Sequence, residues 1–166
     1  MSTITKKREQ DMEINIGINK EHRKAIAGGL SKVLADSYLL YLRTHNYHWN
    51  VTGELFHSLH EQFEQQYTEL AEAVDEIAER IRAVGHKAPG TFKEFNELTS
   101  LEENTEEPEA LEMVRRLAVG NEQVIRTAQK ALEPAREADD EATIDILTQR
   151  LHVHSKTAWM LRSHLE

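Results

Sequence analysis

FHSLHEQFEQQYTELAEAVDEIAERIRAV, residues Phe56–Val84, decides the fold. Its apolar side chains fall at Leu59, Phe63, Tyr67, Leu70, Val74, Ile77, Ile81 and Val84, in steps of three and four. A helix turns by about 100° per residue, so these steps draw one continuous stripe along a helix. Gly85 follows directly, the usual residue just past a helix C-terminus. Upstream, a second helix is predicted from about Asn19 or Lys20 to about Asn50, with Ile26, Leu30, Val33, Leu34 and Leu40 on its apolar face. It should stop near Val51–Gly53, where Gly53 suits a turn. Downstream, Lys87–Gly90 opens a connection in which Thr91–Leu98 can form a short helix. A third long helix is expected from about Pro108 to Leu132, its acidic first turn (Glu106, Glu107, Glu109) matching the helix dipole. Pro134 should end or bend it. A fourth should run from about Asp140 to Leu165. The expectation is an all-α protein: residues 1–18 a flexible tail, residues 19–166 a single four-helix bundle domain with a short extra helix in its middle connection.

Composition agrees and narrows the chemistry. Among 166 residues there are three prolines, seven glycines and no cysteine, so disulfides, thiolate zinc sites and thiol catalysis are excluded. Any metal must be held by His, Asp and Glu, ligands that suit iron, manganese or zinc. No apolar run approaches the roughly 20 residues needed to cross a bilayer. The first residues lack the apolar core of a signal peptide, so a soluble, cytoplasmic protein is expected. The formal net charge of −9 opposes nucleic-acid binding. The one basic cluster, Lys6–Arg8, is followed at once by Glu9, Asp11 and Glu13 and reads as part of a near-neutral solvated arm.

Phe56–Val84 carries a second stripe. With His60 at zero on a helical wheel, Glu64 falls near about 40°, Asp75 near about 60° and Glu79 near about 100°, roughly 120° from the apolar stripe. Such charges ordinarily form a solvated face. Here Thr68, Ala71 and Ala78 share the stripe, and small residues allow another backbone to approach. His60 and Asp75 lie about 22 Å apart along the axis, whereas iron and zinc ligands sit about 2 Å from the metal. One helix cannot put both on one ion. Two antiparallel copies can, if a twofold axis passes near Thr68, and the site is then made twice per dimer. Spacing alone leaves both readings open: a solvated face, or a metal site shared between two chains.

The stretch His45-x-x-His48-Trp49-x-Val51-x-Gly53-x-x-Phe56-x-x-Leu59-His60-x-x-Phe63-Glu64, continuing to Asp75-Glu76-x-Ala78-Glu79-Arg80, resembles the signature of the Dps family of mini-ferritins in order and spacing. The resemblance implies a ferritin-like four-helix bundle assembled as a hollow homododecamer, with a two-iron ferroxidase site at the twofold interface. It implies that His48 and His60 of one chain, with Asp75 and Glu79 of its partner, ligate iron. Glu64 supports iron near the centre, and Trp49 packs beside it as an electron donor. The implied reaction is oxidation of Fe(II), preferentially by hydrogen peroxide, with ferric mineral stored in the cavity and DNA protected from oxidative damage. Zinc would satisfy the same ligands and compete. Residues 139–149 resemble the segment lining the family's threefold pore, which makes Asp140 and Asp145 pore carboxylates; Gln149 stands where relatives carry a third acid.

Several histidines and acids are expected to lie apart from this chemistry. Glu54 and His57 have Glu-x-x-His spacing but no second copy, which argues against a site inside one chain. His152 and His154 face different sides of a helix and read as packing or surface residues, and His164 as exposed. Trp159 is expected in the core or an interface, and His45 as an outer ligand or a hydrogen-bond partner near His48. Two other functions remain in play. One is a DNA-compacting protein associated with the nucleoid, although charge predicts weak or absent DNA binding. The other is a structural cage with little ferroxidase activity.

Overall fold

The computed structural model describes residues 13–166. The tail's basic cluster, Lys6–Arg8, lies outside the described residues. Five helices follow: α1 (Lys20–Asn50), α2 (Phe56–Ala83), α3 (Phe92–Leu98), α4 (Ala110–Glu137) and α5 (Glu141–Arg162). Among the described residues no helix is long and apolar enough to cross a membrane.

α1 starts at Asn19, whose side chain accepts from the His22 N–H, and α3 at a capping box in which Thr91 and Glu94 satisfy each other's backbone N–H. α2 closes on Val84 and then Gly85, whose φ of +92° belongs to the left-handed region open to glycine. α1 packs along α2 and α4, and α4 along α5. α3 lies against α1 in the long connection, with Phe95 buried beside Tyr38.

The stripe read from the sequence supplies the α2 share of the core. Leu59, Phe63, Leu70, Ile77, Ile81 and Val84 are buried, while Tyr67 and Val74 are half-buried. At one end of the bundle Ile77 and Ile81 join Ile26, Leu30, Leu34, Leu132 and Leu147. At the other, Leu59 and Phe63 join Leu40, Tyr47, Leu117 and Leu161. Each fully buried side chain of this size contributes about 1.5–3 kcal/mol. Gly29 lets α1 approach α4: a Cβ there would lie 3.1 Å from the Ala131 Cα.

Asp36 crosslinks the bundle from inside. Fully buried on α1, its carboxylate accepts from Thr99 Oγ1 (2.7 Å) and the Ser100 N–H (2.6 Å) at the end of α3, and from Thr127 Oγ1 (2.6 Å) on α4.

Two helix limits depart from the sequence reading. α4 runs through Pro134 to Glu137 rather than stopping near Leu132. The proline forfeits its own backbone hydrogen bond, but Leu132 and Ala135 are buried and hold the extra turn against the core. α5 ends at Arg162, short of Leu165. The α4–α5 turn is made by Asp139 at φ +51°, a conformation Asp tolerates better than most residues.

Candidate metal centre

The last two turns of α1 carry His45, His48 and Trp49. Gly53, at φ +99°, turns the chain so that α2 brings His60 back onto them. The two imidazoles stack, with ring centroids 3.8 Å apart and planes 16° from parallel. Their bonding is reciprocal: His48 Nδ1 lies 2.8 Å from the His60 carbonyl oxygen, and His60 Nδ1 lies 2.8 Å from that of His48. A carbonyl only accepts, so each Nδ1 must carry its hydrogen. The neutral form of each ring then has its lone pair on Nε2. Both side chains are therefore oriented and held in the tautomer that suits a metal ligand. The bond to the His48 carbonyl has a structural use too, since carbonyls in the last turn of a helix lack an intrahelical donor.

Aromatic rings wall this pair. Phe56 stacks on His60 at 5.1 Å, and Tyr67 meets His48 edge-on at 5.1 Å. His45 lies between Trp49 (3.9 Å) and Tyr67 (4.0 Å). Burial, and then the neighbouring His48, pull the His45 pKa below the ordinary histidine value, so the ring is neutral at neutral pH. In the single chain its ring thus stands in an aromatic stack, with the His48 ring 6.0 Å away. Trp49 is 59% exposed.

Glu64, one turn beyond His60, is exposed, as are Asp75 and Glu79 farther along α2. Among the described residues, no three His, Asp or Glu side chains converge as a metal-holding group within the chain. His48 at the end of α1 and His60 at the start of α2 instead form one group, and the two acids lie farther along α2, with His60 and Asp75 about 22 Å apart by helix rise. Between them Thr68 and Ala71 are exposed, and Ala78, between the two acids, is half-buried. Within one chain, then, the candidate ligands sit as two separate groups with small side chains between them.

Asp140 and Asp145 have different surroundings. Asp140 is buried, caps α5 by accepting from the Thr143 N–H, and pairs with Arg80 of α2 at 2.7 Å. Burial raises its pKa, but Arg80 and Thr143 outweigh that and leave it below the usual carboxylate value. Its charge is thus largely spent on joining α2 to α5. Asp145 is exposed, with Gln149 Nε2 donating to it at 3.0 Å.

The remaining polar candidates lie elsewhere. His154 is buried, and its Nδ1 is 2.8 Å from Asn121 Oδ1. The Asn121 amide nitrogen donates to the Leu117 carbonyl, so the oxygen faces the imidazole, which must donate. Burial, aided by Arg150, pushes the His154 pKa down to about 3. His152 is exposed, and so is Trp159 at 60% in the single chain. His164 is half-buried rather than exposed, with Nε2 2.8 Å from Gln62 Oε1. The sequence reading missed Tyr67 as a neighbour of the histidines. Its four-then-three spacing marks it as core stripe, and only the return of α2 over α1 puts its ring against His48.

The ferritin-like domain family matches residues 27–166. The DNA protection during starvation protein 2 of Bacillus anthracis is 41% identical over 142 residues, covering 86% of this chain and 97% of that protein. The chain belongs to the Dps family of mini-ferritins. The crystal structure of a Dps protein from Bacillus brevis superposes with a TM-score of 0.85 at 35% identity, over 90% of this chain and all of that one (100%). That of a Dps protein from Vibrio cholerae O1, described as a member of a superfamily of ferritin-like diiron-carboxylate proteins, gives 0.85 at 27% identity over 93% and 100%. All-helical architecture and ferritin-like fold agree with the sequence reading, and the Dps resemblance is upheld.

Proposed function

We propose that this Dps-family protein stores and detoxifies iron, oxidising Fe(II) at sites completed by two chains and protecting DNA by removing the reactants that damage it. The observation that carries this is the reciprocally locked histidine pair. Two imidazoles with free Nε2 lone pairs, His48 at the end of α1 and His60 at the start of α2, stand together, while two exposed carboxylates wait farther along α2. An antiparallel pairing of α2 across a twofold axis would bring His48 and His60 of one chain beside Asp75 and Glu79 of the partner, with Glu64 nearby. Imidazoles suit ferrous iron, and the carboxylates, as hard anions, favour the ferric product.

Two ferrous ions held together would give their two electrons to one peroxide: H2O2 + 2 Fe(II) + 2 H⁺ yields 2 Fe(III) + 2 H2O. Delivering the electrons as a pair avoids releasing hydroxyl radical. The ferric product would pass into the cavity of a dodecamer, and Asp145, with Asp140 behind it, would line the pore that admits the ferrous substrate. Zinc is expected to compete for the same ligands. The net charge of −9 over the whole chain makes strong DNA binding an unfavourable expectation.

The test is stopped-flow oxidation of Fe(II) by metal-free protein, comparing hydrogen peroxide with oxygen and trapping hydroxyl radical in parallel. Fast peroxide-driven oxidation with little radical, lost in the His48→Ala/His60→Ala double variant while the assembly keeps its size, is the expected result. Oxidation no faster than in buffer, or unchanged in the variant, would refute it.

A further inference from the structure

α2 and α5 meet only sparsely, and the gap between them is a pocket of about 340 Å³ that reaches Asn121 of α4. Its α2 wall carries Gln66 and Glu69, about 180–240° round the helix from His60, so the pocket lies on the side of α2 away from the histidine pair. Two acceptors in the pocket are bare. His154, fully buried, spends its Nδ1 hydrogen on Asn121 Oδ1, which leaves a lone pair on Nε2. Burial and Arg150 keep the ring neutral. Neither His154 Nε2 nor the buried Oε1 of Gln66 has a hydrogen-bond partner among the described residues. A buried acceptor without a donor is costly, so an occupant that brings two hydrogens is favoured.

The rest of the lining narrows the occupant further. A cation is disfavoured, because Glu69 is already paired with Arg150 and Lys156 adds an ammonium to the same pocket. Leu70 of α2 and Val153 and Met160 of α5 supply apolar surface. Water would bring hydrogens but gain nothing from these side chains. A mainly apolar wall with a few convergent polar groups is the usual make-up of a site for a small organic molecule. We propose that this pocket binds an aromatic diol of the catechol class that carries an acid group. Its two hydroxyls donate to His154 Nε2 and Gln66 Oε1, its ring lies against Leu70, Val153 and Met160, and its carboxylate points toward Lys156. An aliphatic polyol offers the same hydroxyls without the ring, and a simple benzoate offers the ring and the charge without the hydroxyls. The site shares no residue with the candidate metal centre, so the proposal stands apart from the ferrous-oxidation reading.

The test is isothermal titration calorimetry of the full chain, metal-free and under nitrogen so that the probe neither chelates iron nor oxidises. The probe is 3,4-dihydroxybenzoate. The expected result is one molecule bound per chain with a dissociation constant of about 1 mM or tighter. Benzoate, which leaves both acceptors bare, should bind weaker by about tenfold or more. Gln66→Leu and His154→Leu each remove one acceptor and should each weaken the diol by about tenfold while leaving benzoate unchanged. Should the buried His154 variant fail to fold, the half-buried Gln66 variant decides the matter alone. No binding of the diol at millimolar concentration would mean that water alone fills the pocket, and would overturn the proposal. Equal affinity for benzoate and the diol, undiminished binding in Gln66→Leu, or glycerol binding as tightly as the aromatic probe would overturn it too. None of these outcomes touches ferrous oxidation, which the stopped-flow experiment decides separately.

Discussion

Separate half-sites, the histidines where α1 meets α2 and the acids farther along α2, predict complementation between two inactive variants. His48→Ala/His60→Ala removes one half, and Asp75→Ala/Glu79→Ala removes the other. The second pair is exposed, so its cost to folding should stay within about 0.5 kcal/mol per residue. The first pair loses two reciprocal hydrogen bonds, each contributing about 0.5–1.5 kcal/mol, for a total of about 1–3 kcal/mol. A domain stable by about 5–15 kcal/mol tolerates either change. Each variant alone should assemble and lack peroxide-driven ferrous oxidation. When the two are refolded together in equal amounts, random pairing makes about half of the twofold dimers mixed. Each mixed dimer joins the intact histidines of one chain to the intact acids of the other at one of its two interface sites. About one quarter of the wild-type sites should therefore return, and with them about one quarter of the initial rate, read by stopped flow and by bound iron. A mixture no more active than its separate components would refute the shared site. So would activity in either variant alone, since a complete set of ligands would then lie within one chain.

Other consequences of the structure are open to simpler measurements. Asp36→Ala leaves three interior donors without their carboxylate, and chemical denaturation should show a loss of about 3 kcal/mol or more. A value near zero would mean that Asp36 is not the crosslink between α1, α3 and α4. His154 has a folded pKa near 3, below its unfolded value of about 6.5, so the unfolded chain binds the extra proton between those limits. The stability this gives is present above about pH 6.5 and lost as pH falls toward 3, by up to about 1.4 kcal/mol per pH unit. His154→Gln should flatten the stability profile in that window, and an unchanged slope would count against a neutral buried imidazole. Gly29→Val forces side-chain atoms against the Ala131 backbone and should lower stability by about 1–3 kcal/mol, whereas a melting temperature equal to wild type would show that α1 and α4 have room to separate.

The helices were legible where local pattern and tertiary packing agree. α2 follows its three-and-four stripe almost to the residue, because the side chains that define the period are those the core buries. The sequence pattern ends α4 too early because the cost of Pro134 is local, while the compensating burial of Leu132 and Ala135 depends on what lies across the bundle. At the candidate centre, spacing separated the histidines from the acids and marked the small residues between them. It did not disclose that His48 and His60 fix each other's tautomer, since that requires the turn at Gly53 and two backbone carbonyls no side-chain pattern records. Asp140 illustrates the converse. An acid at a helix start serves equally well as a pore lining or a cap, and only the approach of Arg80 from α2 shows where its charge is spent.

The separation of the candidate ligands into two groups also bears on when the chemistry can begin. Under the proposed pairing a newly made chain would hold parts of two centres, and among its described residues no three His, Asp or Glu side chains converge into one. Under the proposed pairing, oxidation waits for the partner, so ferric product would form only where an assembled shell can receive it. Dilution would act as an off switch: below the concentration at which chains associate, activity per chain should fall with dilution, so that isolated subunits leave ferrous iron untouched instead of shedding insoluble product into the surrounding solution.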